Sequence, residues 1–123
     1  MDAHDAVEGW IARYEQAWAS NDPDEVRALF TEDGEYRFHP WEAPTVGHDA
    51  IVEAWLDAQD EADDHTFSWS LLAADGPTAV VQGRTVYTDG DVYLNLWVIR
   101  FADDGRARSF TEWYMEPPAG PDA

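Results

Sequence analysis

Apolar positions recur every second residue through much of the C-terminal half. Between residues 78 and 116 the chain reads as three β-rich runs, TAVVQGRTVYT, DVYLNLWVIRF and RARSFTEWYME. Asp89-Gly90 separates the first two, and ADDG, ending in Asp104-Gly105, separates the second two. Asp-Gly between alternating runs signals a tight hairpin, so an antiparallel meander is expected. Turns centred on those dipeptides set Tyr87 against Val92, Arg84 against Asn95 and Gln82 against Trp97. They also set Ile99 against Phe110, Trp97 against Glu112 and Asn95 against Tyr114. Side chains alternate across a strand, and a slip of one residue exchanges the faces. On this register one face carries Val80, Gln82, Arg84, Val86, Tyr93, Asn95, Trp97, Ile99, Phe110, Glu112 and Tyr114. It is aromatic with a few polar groups, as a ligand pocket would be. The other face carries Val81, Gly83, Thr85, Leu94, Leu96, Val98, Thr111, Trp113 and Met115. That face is too apolar to stand open, and a second copy of the chain is its simplest cover.

Upstream the period changes to that of helices. Val7, Ile11, Tyr14 and Trp18 recur at helical spacing over 4–20, with Trp10 on the flank. Asn21-Asp22-Pro23-Asp24-Glu25 ends that helix and starts another: Asp22 suits the cap, Pro23 the first turn, and the acids the positive helix end. Val26, Leu29 and Phe30 form the buried side of this second helix, which is expected to stop near Asp33-Gly34. A strand over 35–38 points Tyr36 and Phe38 inward. Pro40, Pro44 and Gly47 mark a loop carrying His39 and Trp41. A third helix is expected over 48–62, with Ile51, Trp55 and Leu56 buried and a solvated carboxylate run over 57–64. A strand over 66–74 follows, with Phe67, Trp69 and Leu71 on one face. A disordered tail is expected after residue 117. The order is α-α-β-α-β-β-β-β, an α+β domain with helices laid on one curved, mainly antiparallel sheet.

Composition narrows the chemistry. The 123 residues suffice for one domain with its own core. There is no cysteine, which excludes disulfides, thiolate catalysis and Cys-ligated zinc. The N-terminus lacks the pattern of a signal peptide, and no apolar run is long enough to span a membrane, so a cytoplasmic location is the default expectation. Net charge is −19, and all seven basic residues are arginine. Nucleic acid and anionic membranes are poor partners for such a surface. His4, His48 and His65 have no H-x-x-x-H spacing, and no metal site is expected. Nucleotide fingerprints, phosphate loops and G-x-S-x-G are absent from the sequence.

The element order, the block NDPDEVRALFTEDGEYRFHP, the helix start VGHDAIVEAW and the end DDGRARSFTEWYM together resemble the nuclear transport factor 2-like superfamily, and within it the SnoaL-like proteins. The resemblance covers about residues 7–116. It implies a cone-shaped half-barrel with its mouth between helices and sheet, and often a dimer through the outer sheet. It carries little about function, since this fold hosts isomerases, hydrolases, cyclases, dehydratases and non-catalytic binders. By likeness to ketosteroid isomerase, Tyr14 takes the place of the enolate-donating tyrosine. Phe38 or His39 takes that of the general base, and Trp97 that of the protonated aspartate. By likeness to limonene epoxide hydrolase, Arg84 and Glu112 match the bridging arginine and one aspartate, and Val86 replaces the other.

The expected site therefore centres on Glu112 as an acid–base group, with Arg84 pairing it, Tyr14 as oxygen-side donor and His39 at the mouth. Trp18, Tyr36, Phe38, Trp41, Trp55, Trp69, Gln82, Val86, Asn95, Trp97, Phe110 and Tyr114 are expected as wall. The ligand is a small, largely apolar molecule. Two functions fit: cofactor-free isomerisation, cyclisation or epoxide-type hydrolysis, and non-catalytic binding or assembly. The homodimer face is expected at Leu94, Leu96, Val98, Trp113 and Met115. Protein transport has little support, because nothing marks a partner surface beyond the dimer face.

Overall fold

The computed structural model describes residues 2–57, 65–88 and 90–116. Asp89, the expected end of the third helix with its carboxylate run over 58–64, and the C-terminal tail lie outside them. Helix α1 (Ala3–Ser20) is capped by Asp2, whose side chain accepts from the Asp5 N–H at 3.1 Å. It closes at Asn21 in the left-handed conformation. Asp22 caps α2 (Pro23–Leu29), accepting from the Asp24 N–H at 2.8 Å. The second helix stops four residues earlier than Asp33. Phe30 turns extended and opens β1 (Phe30–Arg37), so Asp33-Gly34 falls in an irregular stretch of strand.

A short β2 (Thr45–Val46) that the sequence pattern did not reveal pairs with β1 and leads into α3 (His48–Asp57). The meander follows as β3 (His65–Asp75), β4 (Thr78–Tyr87), β5 (Val92–Phe101) and β6 (Ala107–Met115). The sheet runs β2-β1-β6-β5-β4-β3, curved and unclosed, with β1 parallel to β6 and every other pair antiparallel. The three helices cover its concave face. Trp10, Ile11 and Tyr14 of α1, Val26 and Leu29 of α2, and Ile51 and Trp55 of α3 meet Val81, Trp97, Ile99 and Phe110 of the sheet there. Trp10 is fully buried, and its indole donates to the Leu29 carbonyl at 2.8 Å. That bond satisfies the one polar group of a side chain whose burial is worth about 1.5–3 kcal/mol. This is the α+β arrangement expected from the pattern, curved into the half-barrel that the resemblance implies. No helix among the described residues is long and apolar enough to cross a membrane.

The registers decide what enters the cone. The β5–β6 pairing is as expected: Asn95 faces Tyr114, Trp97 faces Glu112 and Ile99 faces Phe110. The β4–β5 pairing is shifted by one residue: Val81 faces Trp97, Gly83 faces Asn95 and Arg84 faces Leu94. The cause is the turn. Gly90 N–H bonds the Tyr87 carbonyl, Tyr87 N–H bonds the Asp91 carbonyl, and Gly90 has φ +99°. This is a three-residue loop ending in a left-handed glycine, not a two-residue one. The second turn has the same form, closed between Ala102 and Arg106, with Gly105 at φ +86°. There a bulge at Arg108 inserts the residue that restores the expected pairing. Val81, Gly83 and Thr85 therefore point into the cone, and Val80, Gln82, Arg84 and Val86 point away from it.

Candidate functional site

Glu112 sits mid-strand on the concave face, partly buried, beside Trp97. Its Oε2 accepts from Trp97 Nε1 at 2.6 Å and from Asn95 Nδ2 at 3.3 Å. Asn95 is held in turn: its Oδ1 accepts from the buried Thr85 hydroxyl at 2.8 Å, which turns the amide nitrogen toward Glu112. Burial pushes the Glu112 carboxyl up to about 8, against the opposing effect of the hydrogen bonds from Asn95 and Trp97. At neutral pH the group is mostly a neutral acid. With both donors on Oε2, Oε1 is the oxygen left for that proton.

The expected Arg84–Glu112 pair does not exist. Arg84 is exposed on the convex face, opposite Leu94, because the three-residue turn reverses the faces of β4. Gln82 and Val86 leave the site for the same reason, so the likeness of Arg84 and Val86 to the hydrolase residues places nothing in the cone. Thr85 and Gly83 take their places. A Cβ at Gly83 would lie 2.6 Å from the Phe67 ring, so only glycine lets that ring lie flat on the sheet. Phe67 then stacks on Trp97, with centroids 4.8 Å apart at 15°. A better signal was present in Thr88-Asp89-Gly90, which reads equally well as a three-residue loop with glycine last.

Over Glu112 lies an aromatic layer. Tyr14 stacks on Phe110 and tilts against Trp97, with centroids 5.6 and 4.7 Å away, and its hydroxyl shares a 3.1 Å hydrogen bond with Tyr36. Burial raises both phenols above their ordinary range, and the nearby Glu112 charge adds to this. Phe38 stacks on Tyr36 at 4.0 Å. Trp55 packs edge-on to Tyr14, and its indole donates to Asn21 Oδ1 at 3.1 Å. Trp69 is partly buried on the concave side opposite Gly83.

The end expected to form the mouth is bordered by rings in contact. Trp18 stacks on His65 at 3.8 Å, His65 meets Tyr87, Tyr87 meets Tyr93, and Tyr93 meets Tyr114. His39 completes the rim, with Nε2 2.8 Å from the Tyr114 hydroxyl and Nδ1 bonded to Glu42 Oε1. Trp41 does not line the interior. It is 79% exposed and covers His39 from outside, with centroids 4.7 Å apart. The Pro40 and Pro44 loop carries it past the strand end. His4, His48 and His65 stand on three different elements, and His48 Nε2 donates to the Phe30 carbonyl at 2.8 Å.

The model of the SnoaL-like domain matches residues 11–116. The chain belongs to the SnoaL-like domain family. No functionally curated protein matches it. Among solved structures, this SnoaL-like chain is similar to an NTF-2 like protein from Burkholderia xenovorans LB400, with TM-score 0.72 and 13% identity over 96% of this chain and 89% of that one. It is similar to a ketosteroid isomerase-like protein from Erwinia carotovora atroseptica SCRI1043, with TM-score 0.64 and 18% identity over 91% and 95%. It is also similar to a steroid delta-isomerase from Pseudomonas aeruginosa, with TM-score 0.62 and 20% identity over 89% and 80%. At these identities the likeness is one of fold.

Proposed function

We propose that this SnoaL-like chain binds a small, flat, largely apolar molecule in its cone and moves a proton on it, an isomerase-type reaction that uses no cofactor. One observation carries this: a carboxyl group on the concave face, opposite Trp97, with no arginine beside it and its titration lifted to about 8. A buried structural ion pair would have pushed it the other way. A general acid or base works best with a pKa near the working pH. Glu112 is the proton donor in the resting state, and Asn95 and Trp97 orient it. Tyr14, already bonded to Tyr36, supports the aromatic wall and lies above the acid. The isomerase-like neighbours support the class of reaction. The test is incorporation of solvent deuterium at carbon in a panel of flat carbonyl compounds, followed by NMR. Glu112→Gln is expected to slow exchange of any active compound by about 100-fold or more. Unchanged exchange would remove Glu112 from the chemistry.

A second reading, a non-catalytic binder, is favoured by the interlocked Tyr14 and Tyr36 hydroxyls, which satisfy each other without a ligand. On that reading Glu112→Gln keeps ligand affinity and there is no turnover to lose.

The convex sheet face is proposed to meet a second copy of the chain. Its outward positions within 66–70, 80–86, 94–100 and 111–115 include no carboxylate and two arginines, Arg84 and Arg100, in a chain with 26 acids. Leu94, Trp113 and Met115 are exposed there, while Leu96 and Val98 are partly covered. Two such faces can meet without opposing acidic charges. Sedimentation equilibrium of Trp113→Glu against the unaltered chain tests this, with dissociation expected in the variant.

A further inference from the structure

We propose that Glu42, His39 and Tyr114 form a second proton-transfer centre at the mouth, with the Tyr114 hydroxyl as the group that meets the ligand. The inference rests on reading Glu112 as the acid of the same site. The geometry is that of a relay. Glu42 can only accept, so His39 Nδ1 carries the hydrogen of that bond. In the neutral form of His39, Nε2 is then the acceptor, 2.8 Å from the Tyr114 oxygen, and the phenol donates to it. A carboxylate that orients an imidazole, which takes the proton of a hydroxyl, is an arrangement that activates the hydroxyl oxygen.

Position makes the relay useful. Tyr114 is 47% exposed, whereas Tyr14 and Tyr36 are buried. It follows Glu112 by two residues on the same face of β6, about 6.6 Å along the strand. A flat molecule lying against Tyr93 and Tyr114 would have an acid at its inner end and this relay at its outer end. The step balances within the chain. A proton leaves a carbon or oxygen of the ligand for the Tyr114 oxygen as the phenolic proton passes to His39 Nε2. The imidazolium is then paired with Glu42, and the ligand oxygen takes a hydrogen bond or proton from Glu112. The ligand class is therefore a flat, neutral molecule with a weakly acidic C–H or O–H facing the mouth. Trp41, stacked on the outer side of His39, covers one face of the imidazole.

The test uses N-acetylimidazole on the full chain at fixed pH, with acetylation of Tyr114, Tyr87 and Tyr93 followed by mass spectrometry. His39→Gln is expected to slow Tyr114 acetylation by about tenfold or more, with Glu42→Gln intermediate and Tyr87 and Tyr93 within about twofold. Glu112→Gln is expected to leave the Tyr114 rate unchanged, so failure of the Glu112 reading and failure of the relay are told apart. A Tyr114 rate unaffected by His39→Gln, or an equal fall at all three tyrosines, overturns the proposal. Nitrogen-15 spectra of the labelled imidazole give an independent check. The Nδ1–H tautomer with an Nε2 signal displaced by Tyr114→Phe is expected, and an Nε2–H tautomer overturns the relay.

Discussion

Trp97 Nε1 and Glu112 Oε2 lie 2.6 Å apart, the shortest of the bonds that tie the carboxyl group to the sheet. They are cross-strand partners, so the contact follows directly from the β5–β6 register. An indole can donate and never accept. The bond therefore survives protonation of Glu112, and the acid keeps its orientation in both states.

Removing the donor should move the acid further from its ordinary range. Trp97→Phe loses a hydrogen bond that lowers the Glu112 pKa, while the stack on Phe67 is partly kept. Carbon-13 titration of the labelled carboxyl is expected to give a midpoint above that of the unaltered chain. A midpoint that falls would show that the bond does not act on the charged form.

Stability should decline with alkali through Glu112. In the folded chain the group holds its proton to about pH 8, whereas its ordinary value is 4.5. Between those values the folded state binds one proton more than the unfolded state. The contribution is thus complete below 4.5 and is lost as pH rises toward 8, by up to about 1.4 kcal/mol per pH unit. Urea melts at pH 5 and pH 8 should show Glu112→Gln gaining on the unaltered chain at the higher pH. An equal difference at both would contradict the raised value.

The Tyr14–Tyr36 bond should show itself as coupling. Either phenylalanine substitution leaves one buried hydroxyl unmatched, at a cost of about 1–3 kcal/mol. The double substitution removes both groups and is expected to cost clearly less than the sum. Additive costs in chemical denaturation would show that the two hydroxyls are independently satisfied.

Gly83→Ala should strain the floor of the cone. The new methyl would lie 2.6 Å from the Phe67 ring, which is itself pinned against Trp97. A loss of about 1–3 kcal/mol is expected, with altered Trp97 fluorescence. A neutral result would show that the ring has room to move.

Arg84→Ala is the control for the register. Arg84 is exposed on the convex face, so its loss should change stability by no more than about 0.5 kcal/mol and leave the Glu112 titration where it is. A large downward or upward move of that titration would return Arg84 to the cone.

Much of this protein was written in local pattern. The caps at Asp22 and Asn21, the helical stripe through Val7, Ile11 and Tyr14, and the alternation that buries Tyr36, Phe67 and Trp97 need only nearest neighbours and period. They suffice to set the order of elements and the α+β class. Glu112 and its facing residue Trp97 were legible too, because the Arg108 bulge makes the real β5–β6 pairing coincide with the simplest one. What tertiary structure alone decided is which side of β4 looks inward. Two hairpin turns, of two or of three residues, are open to Thr88-Asp89-Gly90, and choosing between them moves the pairing by one residue. In a strand of period two that exchanges Arg84 for Thr85 and Gly83. The acid at 112 is consequently held by neutral donors instead of a cation, and burial, not an ion pair, sets the pH at which it gives up its proton.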